Sequence, residues 1–286
     1  MNWDLSKLYA GFDDPKLHRE TAEAFALLTG LRAAIDELSD HCTPEGLAAV
    51  LETLKRVEDA SIKIGSFTFL TLAVDANNED ARAYYDRVND MDIERRQTFS
   101  ALSRLLGRID DLDAFIAGQP VLEEHAFLLR KLKQSAAHVI DPALEPTVLR
   151  MQTTGGSAWS RLRNDLDANL MIPFEKDGKS ETLPLSAIRG LAYDASADVR
   201  RRAYEAEISA YPRIEIPMAA CLNGIKGEAL TLMELRHYDS VLDSALDVSR
   251  MDRETLDALL DVMRESLPMF RRYFRAKAKL LGYEGG

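Results

Sequence analysis

Three stretches within the first 106 residues repeat apolar side chains at helical spacing, with only short breaks between them. That pattern constrains the fold more than any other feature of the chain. From Pro15 to Ser39 the repeat is Phe25, Leu28, Leu31, Ile35, Leu38, one face of a helix. The second begins at Thr43-Pro44-Glu45. Thr43 is the N-cap, and Pro44 sits at the first helical position, where its missing N–H costs nothing. Leu47, Leu51, Leu54, Val57 and Ile64 carry it toward the apolar run Phe67–Val74, with Gly65 as a candidate interruption. Asn78 caps the third, through Tyr84, Tyr85, Val88, Met91, Phe99, Leu102 and Leu106. Long helices joined by short breaks must lie antiparallel against one another. The reading is a mainly α protein: a multi-helix bundle with one small β element around 165–184.

That β element rests on a different period. Leu166, Ala168, Leu170, Ile172 and Phe174 alternate with polar residues or methionine from Asp165 onward, the signature of a strand with one buried face. Lys176-Asp177-Gly178-Lys179 supplies the turn, and Thr182-Leu183-Pro184 the return strand. Upstream, a short helix is expected over Asp110–Gln119 and another over Leu122–Ala137, with Phe127, Leu128 and Leu132 inward. Gly155 is expected to end one helix and Ser157 to cap the next. Downstream, helices are expected over Leu185–Ala192, Ser196–Tyr211, Pro217–Arg236, Ser240–Asp247 and Arg253–Leu281. Pro268 should kink the last, because it cannot donate to the carbonyl of Arg264.

Composition narrows the function classes. The chain is 46% hydrophobic and 29% charged, as a globular protein is. Its net charge of −11 argues against a nucleic-acid partner, which needs basic surface to displace counterions. No apolar run approaches the roughly 20 residues that cross a bilayer, so no membrane partner is expected. The N-terminal MNWDLSKLYAGFDD lacks the basic and apolar regions of a signal peptide, so a cytoplasmic location is expected. Cys42 and Cys221 stand alone, without disulfide or metal spacing.

Motifs for chemistry are missing. The five histidines, His18, His41, His125, His138 and His237, include no pair four apart, so H-E-x-x-H is absent. Glu234-x-x-His237 has the carboxylate-histidine spacing of di-metal bundles but no second copy; it reads as a helix-end polar pair. There is no G-x-S-x-G elbow and no phosphate loop. No residue of the chain is therefore assigned a catalytic or metal-binding role. Residues 223–246 form a helix with Ile225, Ala229, Leu232 and Leu235 on one face and Lys226, Glu228 and Glu234 left polar. Arg236, His237 and Tyr238 cluster where it ends and are the candidate substrate-binding residues. Arg236 could satisfy terminal carbonyls or pair with Asp239 or Asp243.

Several segments, in order, resemble the oligoendopeptidase F family of thimet-oligopeptidase-like zinc metallopeptidases. They are Trp3-Asp4-Leu5-Ser6-x-Leu8-Tyr9; Gly155-Gly156-Ser157-Ala158-Trp159; the hairpin Phe174-Glu175-x-Asp177-Gly178 with Thr182-Leu183-Pro184; Asp198-x-Arg200-x-x-Ala203-Tyr204; Asn223-x-x-Lys226; and Arg236-x-Tyr238-x-Ser240. The resemblance implies an N-terminal helical region over 1–112, a family-type module over 113–184 and the start of a peptidase domain over 185–286. It implies short peptides as substrates, in a channel that this part walls on one side. The family's zinc is held by an H-E-x-x-H helix and a downstream glutamate, which map to no residue here. The expectation is therefore a truncated N-terminal portion, inactive alone, with zinc bound in a missing catalytic portion or partner subunit. The alternatives are a non-catalytic helical peptide-binding or scaffold protein, or one subunit of a split peptidase. The final helix carries an apolar stripe to its end with nothing after it to cover it, which is in keeping with chain or subunit missing.

Overall fold

The structure, a computed structural model, describes residues 4–75, 77–176 and 178–283. Trp3 of the opening motif and Asp177 of the hairpin turn lie outside the described residues. Two compact units are present, Met1–Arg236 and His237–Gly286.

The first unit opens with three long helices: α1 (Pro15–Leu38), α2 (Pro44–Val74) and α3 (Glu79–Gly107). Each start is capped by the side chain before it. Asp14 accepts from the Lys16 N–H, Thr43 from Gly46 and Asn78 from Ala81, so orphan amide donors are satisfied locally. Gly65 does not interrupt α2; the atom nearest to where its Cβ would be is Val88 Cγ1, at ordinary contact distance. The three helices bury Leu17, Leu28, Leu31 and Ile35 of α1, Leu47, Leu54, Val57 and Ile64 of α2, and Met91, Leu102 and Leu106 of α3 in one core. Polar groups inside it are paired. The buried Thr21 hydroxyl donates to the Leu17 carbonyl or shares a 2.6 Å bond with Tyr84.

One polar cluster fastens the N-terminal segment to α1 and α2. The buried Tyr9 hydroxyl and the Lys63 ammonium both donate to Glu20 Oε2, each at 2.6 Å, and Lys63 lies over the Tyr9 ring. Burial alone would raise the Glu20 carboxyl; the hydrogen bonds from Lys63 and Tyr9 outweigh it and leave its pKa below the ordinary value. A carboxyl depressed by folding adds stability that is present above its unfolded pKa and is lost as pH falls through its folded one. Lys63→Met is therefore expected to flatten the loss of stability on acidification. Urea midpoints taken from about pH 6 down to about pH 3, across the carboxylate range, check this. Identical slopes for the two proteins would sink it.

Shorter elements follow: α4 (Leu112–Ile116), α5 (Pro120–Glu124), α6 (Ala126–Ser135), a 3₁₀ turn at Ala136–His138, α7 (Glu145–Thr154) and α8 (Gly156–Ala168). Two expectations are corrected here. Phe127 points outward, 56% exposed, and Leu129 is the buried residue of α6. Gly155 alone joins α7 to α8, and Ser157 lies inside α8 rather than at its cap.

The β element is a single antiparallel hairpin, β1 (Met171–Lys176) and β2 (Lys179–Pro184). It starts six residues later than the alternation suggests, because Asp165–Ala168 is the last turn of α8. Gly178 takes the positive φ of 74° that the turn requires. Ile172 and Phe174 face a second core with Leu185 and Ile188 of α9 (Leu185–Gly190) and Val199 and Ala203 of α10 (Ala197–Ala210). This packing answers the marginal stability of an isolated hairpin. A 3₁₀ turn at Tyr211–Arg213 leads into α11 (Glu215–Leu235), which closes the unit.

The second unit holds α12 (Val241–Ser249) and α13 (Arg253–Leu280). Ser240 caps α12, accepting from the Asp243 N–H, and Asp252 caps α13, accepting from Thr255. Pro268 lies inside α13, which continues past it as one helix. The apolar stripe of α13 is exposed, with Met263, Phe270 and Phe274 each about half open to solvent.

Candidate functional site

The residues of the Gly-Gly-Ser-Ala-Trp turn meet α11 at a joint built on close approach. Gly155 and Gly156 sit where α7 ends and α8 begins, and α8 has no side-chain cap of its own. Its free amide end is met instead from α11: Glu228 Oε2 accepts the Gly156 N–H at 2.6 Å. Glu228 Oε1 accepts from Gln152 Nε2 at 3.4 Å. An acidic group at that end also opposes the positive pole of the helix dipole. The two glycines are what admit the carboxylate. A Cβ on Gly155 would lie 2.3 Å from Glu228 Oε2, and one on Gly156 would lie 2.5 Å from Oε1. One turn earlier on α11, a Cβ on Gly224 would lie 2.5 Å from the Trp159 indole. Gly224 thus lets the ring of α8 lie on the backbone of α11, and Glu228 follows at i+4 on the same face.

Glu228, which the helical period leaves on the polar face of its helix, is half-buried and engaged by this contact. The available signal was the pair of glycines, Gly224 and Gly227, inside a helix, where each is unfavourable unless something needs the space. For Gly224 that need is Trp159; for Gly227 nothing lies within 4 Å. Gln152 Oε1 and Arg161 Nη1 are buried atoms with no hydrogen-bond partner among the described residues, while Arg161 Nη2 donates to the Thr153 carbonyl at 3.2 Å.

The three residues expected to bind substrate are placed as follows. Arg236 ends α11; its N–H bonds the Leu232 carbonyl. Its own carbonyl lies 2.9 Å from His138 Nδ1. A carbonyl can only accept, so Nδ1 of His138 carries the proton. The first unit ends there. In the second unit His237 is exposed and holds a left-handed backbone, φ 56°, the conformation that follows many helix ends. Tyr238 is half-buried and donates from its hydroxyl to Asp247 Oδ2 at 2.7 Å, tying the segment before α12 to the last turn of that helix. Asp243, considered as a partner of Arg236, is engaged by Ser240.

A cleft of about 450 Å³ lies where α8 meets β1, lined by Leu162, Leu166, Leu170 and Ile214 with Asp165 and Arg213. Its charged groups are used structurally: Asp165 pairs with Arg82 and Arg213 donates to the Met171 carbonyl. Among the described residues, no three His, Cys, Asp or Glu side chains are grouped so as to hold a metal ion. An H-E-x-x-H zinc helix has no counterpart in this sequence. No helix among the described residues is long and apolar enough to cross a membrane.

Comparison with known proteins reaches the α7–α8 half of this joint. The family model described as Oligopeptidase F matches residues 109–171, which include α7, the two glycines and α8. Group B oligopeptidase PepB of Streptococcus agalactiae serotype III (strain NEM316) is 24% identical over 193 residues, covering 66% of this chain and 32% of the relative. Oligopeptidase PepF of Bacillus subtilis (strain 168) is 21% identical over 214 residues, covering 72% and 32%. In fold, the crystal structure of oligoendopeptidase-F from Enterococcus faecium matches with a TM-score of 0.75 at 20% identity, over 94% of this chain and 54% of that one. These likenesses show a mainly helical fold that is similar to part of an oligoendopeptidase. Over residues 109–171 the chain is similar to the oligopeptidase F family, and its whole fold is similar to part of an oligoendopeptidase-F. It spans about a third of the length of the two curated relatives, 32% of each.

Proposed function

We propose that this chain is the N-terminal part of a cytoplasmic zinc metalloendopeptidase that hydrolyses short oligopeptides, and that it forms one wall of the peptide channel. Its division of labour follows the three modules: a helical region over 1–112, a family-type module over 113–184, and the entry to a catalytic domain over 185–286. Zinc and the reacting groups belong to a catalytic portion or partner subunit outside these residues. Arg236, His237 and Tyr238 are the residues of this chain that meet the peptide, a role in keeping with the exposure of His237 at a helix end. The observation that supports the reading most is that the oligopeptidase F region contains Gly155 and Gly156, the half of the joint that receives Glu228 from α11. A joint of that precision orients α11, and α11 leads into the catalytic side.

The purified chain, incubated with zinc and a panel of quenched oligopeptides, is expected to release no signal. Chelator-sensitive cleavage by the chain alone would overturn the proposal. The reading frame beyond codon 286 gives the second check. An in-frame H-E-x-x-H supports the reading; a stop, with no catalytic partner recovered alongside the protein, counts against it.

A further inference from the structure

The two edges of the β hairpin differ in kind. Leu185 N–H bonds the Leu170 carbonyl, so the residues that exchange hydrogen bonds across the hairpin are Ile172 with Leu183 and Phe174 with Glu181. Met171, Pro173 and Glu175 of β1, and Ser180, Thr182 and Pro184 of β2, therefore turn their backbone groups outward. On the β1 side two of the outward carbonyls are engaged. Arg213 Nη2 donates to the Met171 carbonyl at 2.6 Å, Arg202 Nη1 donates to the Glu175 carbonyl at 2.7 Å, and Pro173 has no N–H to offer. On the β2 side Lys179, Ser180, Glu181 and Thr182 are all exposed. Among the described residues no hydrogen bond engages the outward N–H and C=O of Ser180 and Thr182. Proteins usually blunt an exposed edge; here two arginines and Pro173 blunt one edge, while on the other only the end residue Pro184 lacks an N–H, and Ser180 and Thr182 are left able to pair.

We propose that the β2 edge is a docking site for an extended peptide, which adds to the hairpin as a third, antiparallel strand. The backbone of Ser180 and Thr182 provides the ladder, and the side chains beside it provide the choice of sequence. Residues opposite one another in a sheet share a face. Leu183, Glu181 and Lys179 lie on the face that carries Ile172 and Phe174 toward the core. An antiparallel strand read from its N-terminus meets Leu183, then Glu181, then Lys179. The peptide that fits has an apolar residue, a basic residue and an acidic residue at alternate positions. This site stands on the hairpin alone and does not depend on whether the protein is part of a peptidase.

The test uses the intact chain and fluorophore-labelled peptides of sequence TVTKTET, read by fluorescence anisotropy. In the proposed register the third and fifth residues pair with Thr182 and Ser180, while the second and fourth do not. Methylating the backbone nitrogens of the third and fifth residues is expected to weaken binding by at least about tenfold, the size of one or two lost hydrogen bonds plus a steric block. Methylating the second and fourth is expected to leave it unchanged. Glu181→Lys, an exposed change that the fold tolerates, is expected to shift the preference to a peptide with Glu at the fourth position. Equal binding by the two methylated peptides overturns the proposal. So does the absence of saturable binding at millimolar peptide, or a chain that pairs through β2 with a second copy of itself instead.

Discussion

Arg104→Met is expected to destabilise the first unit by about 3 kcal/mol, the low end for stranding a buried charge. Arg104 of α3 places Nη1 3.2 Å from Glu145 Oε2, and the Glu145 side chain is only 7% exposed. Glu145 is the first residue of α7, so the helix dipole offers it partial compensation once the arginine is gone. That is why the low end of the range applies. Methionine keeps most of the packing of the arginine stem and removes the charge alone. In the double variant Arg104→Met with Glu145→Gln, the uncompensated charge is absent, and most of the loss is expected to return. Urea unfolding of the four proteins closes the cycle. A single Arg104→Met variant within about 0.5 kcal/mol of the parent, the range of ordinary surface changes, would show that solvent rather than Arg104 balances Glu145.

Glu228→Ala is expected to cost about 2 kcal/mol, because the Gly156 amide loses its acceptor in a position water reaches poorly. The end of α8 also loses the only side-chain acceptor recorded there among the described residues. Glu228→Gln retains an acceptor of the same length without the charge, and about 1 kcal/mol or less is expected from it. A global measurement does not distinguish this joint from general packing, so the decisive reading is local. Hydrogen exchange at the Gly156 amide is expected to speed up strongly in Glu228→Ala and mildly in Glu228→Gln, while amides of α1 to α3 keep their protection. Unchanged protection at Gly156 in the alanine variant would mean that Glu228 does not hold α8.

Much of the architecture was legible residue by residue. Thr43 and Asn78 do cap α2 and α3, and the apolar repeats from Leu28 to Leu106 do form the buried core. These are properties of local backbone chemistry and of period, which a linear reading senses well. Legibility failed where two periods overlap or where a contact is long-range. Leu166 and Ala168 fit an alternating strand, yet they complete α8, because a helix in progress needs only one more turn of backbone bonds to include them. Phe127 was expected inside and is outside, because α5 ends at Glu124 and α6 restarts at Ala126, which rotates the buried face onto Leu129.

The candidate site divides along the same line. Arg236, His237 and Tyr238 were visible as a polar cluster at a helix end, and the structure places them at one. Glu228 was invisible as the acceptor at the end of α8, because helical period assigns it to the polar face of its own helix. What turns it inward is α8, 72 residues earlier in sequence, whose amide end needs an acceptor that two glycines leave room for. The sequence by itself determined the three long helices, the caps Thr43 and Asn78, and the hairpin turn, since each depends on residues near one another in the chain. Only the tertiary structure decided which carboxylate closes α8 and which hairpin edge stays open. Both depend on hydrogen-bond donors and acceptors brought together from distant segments.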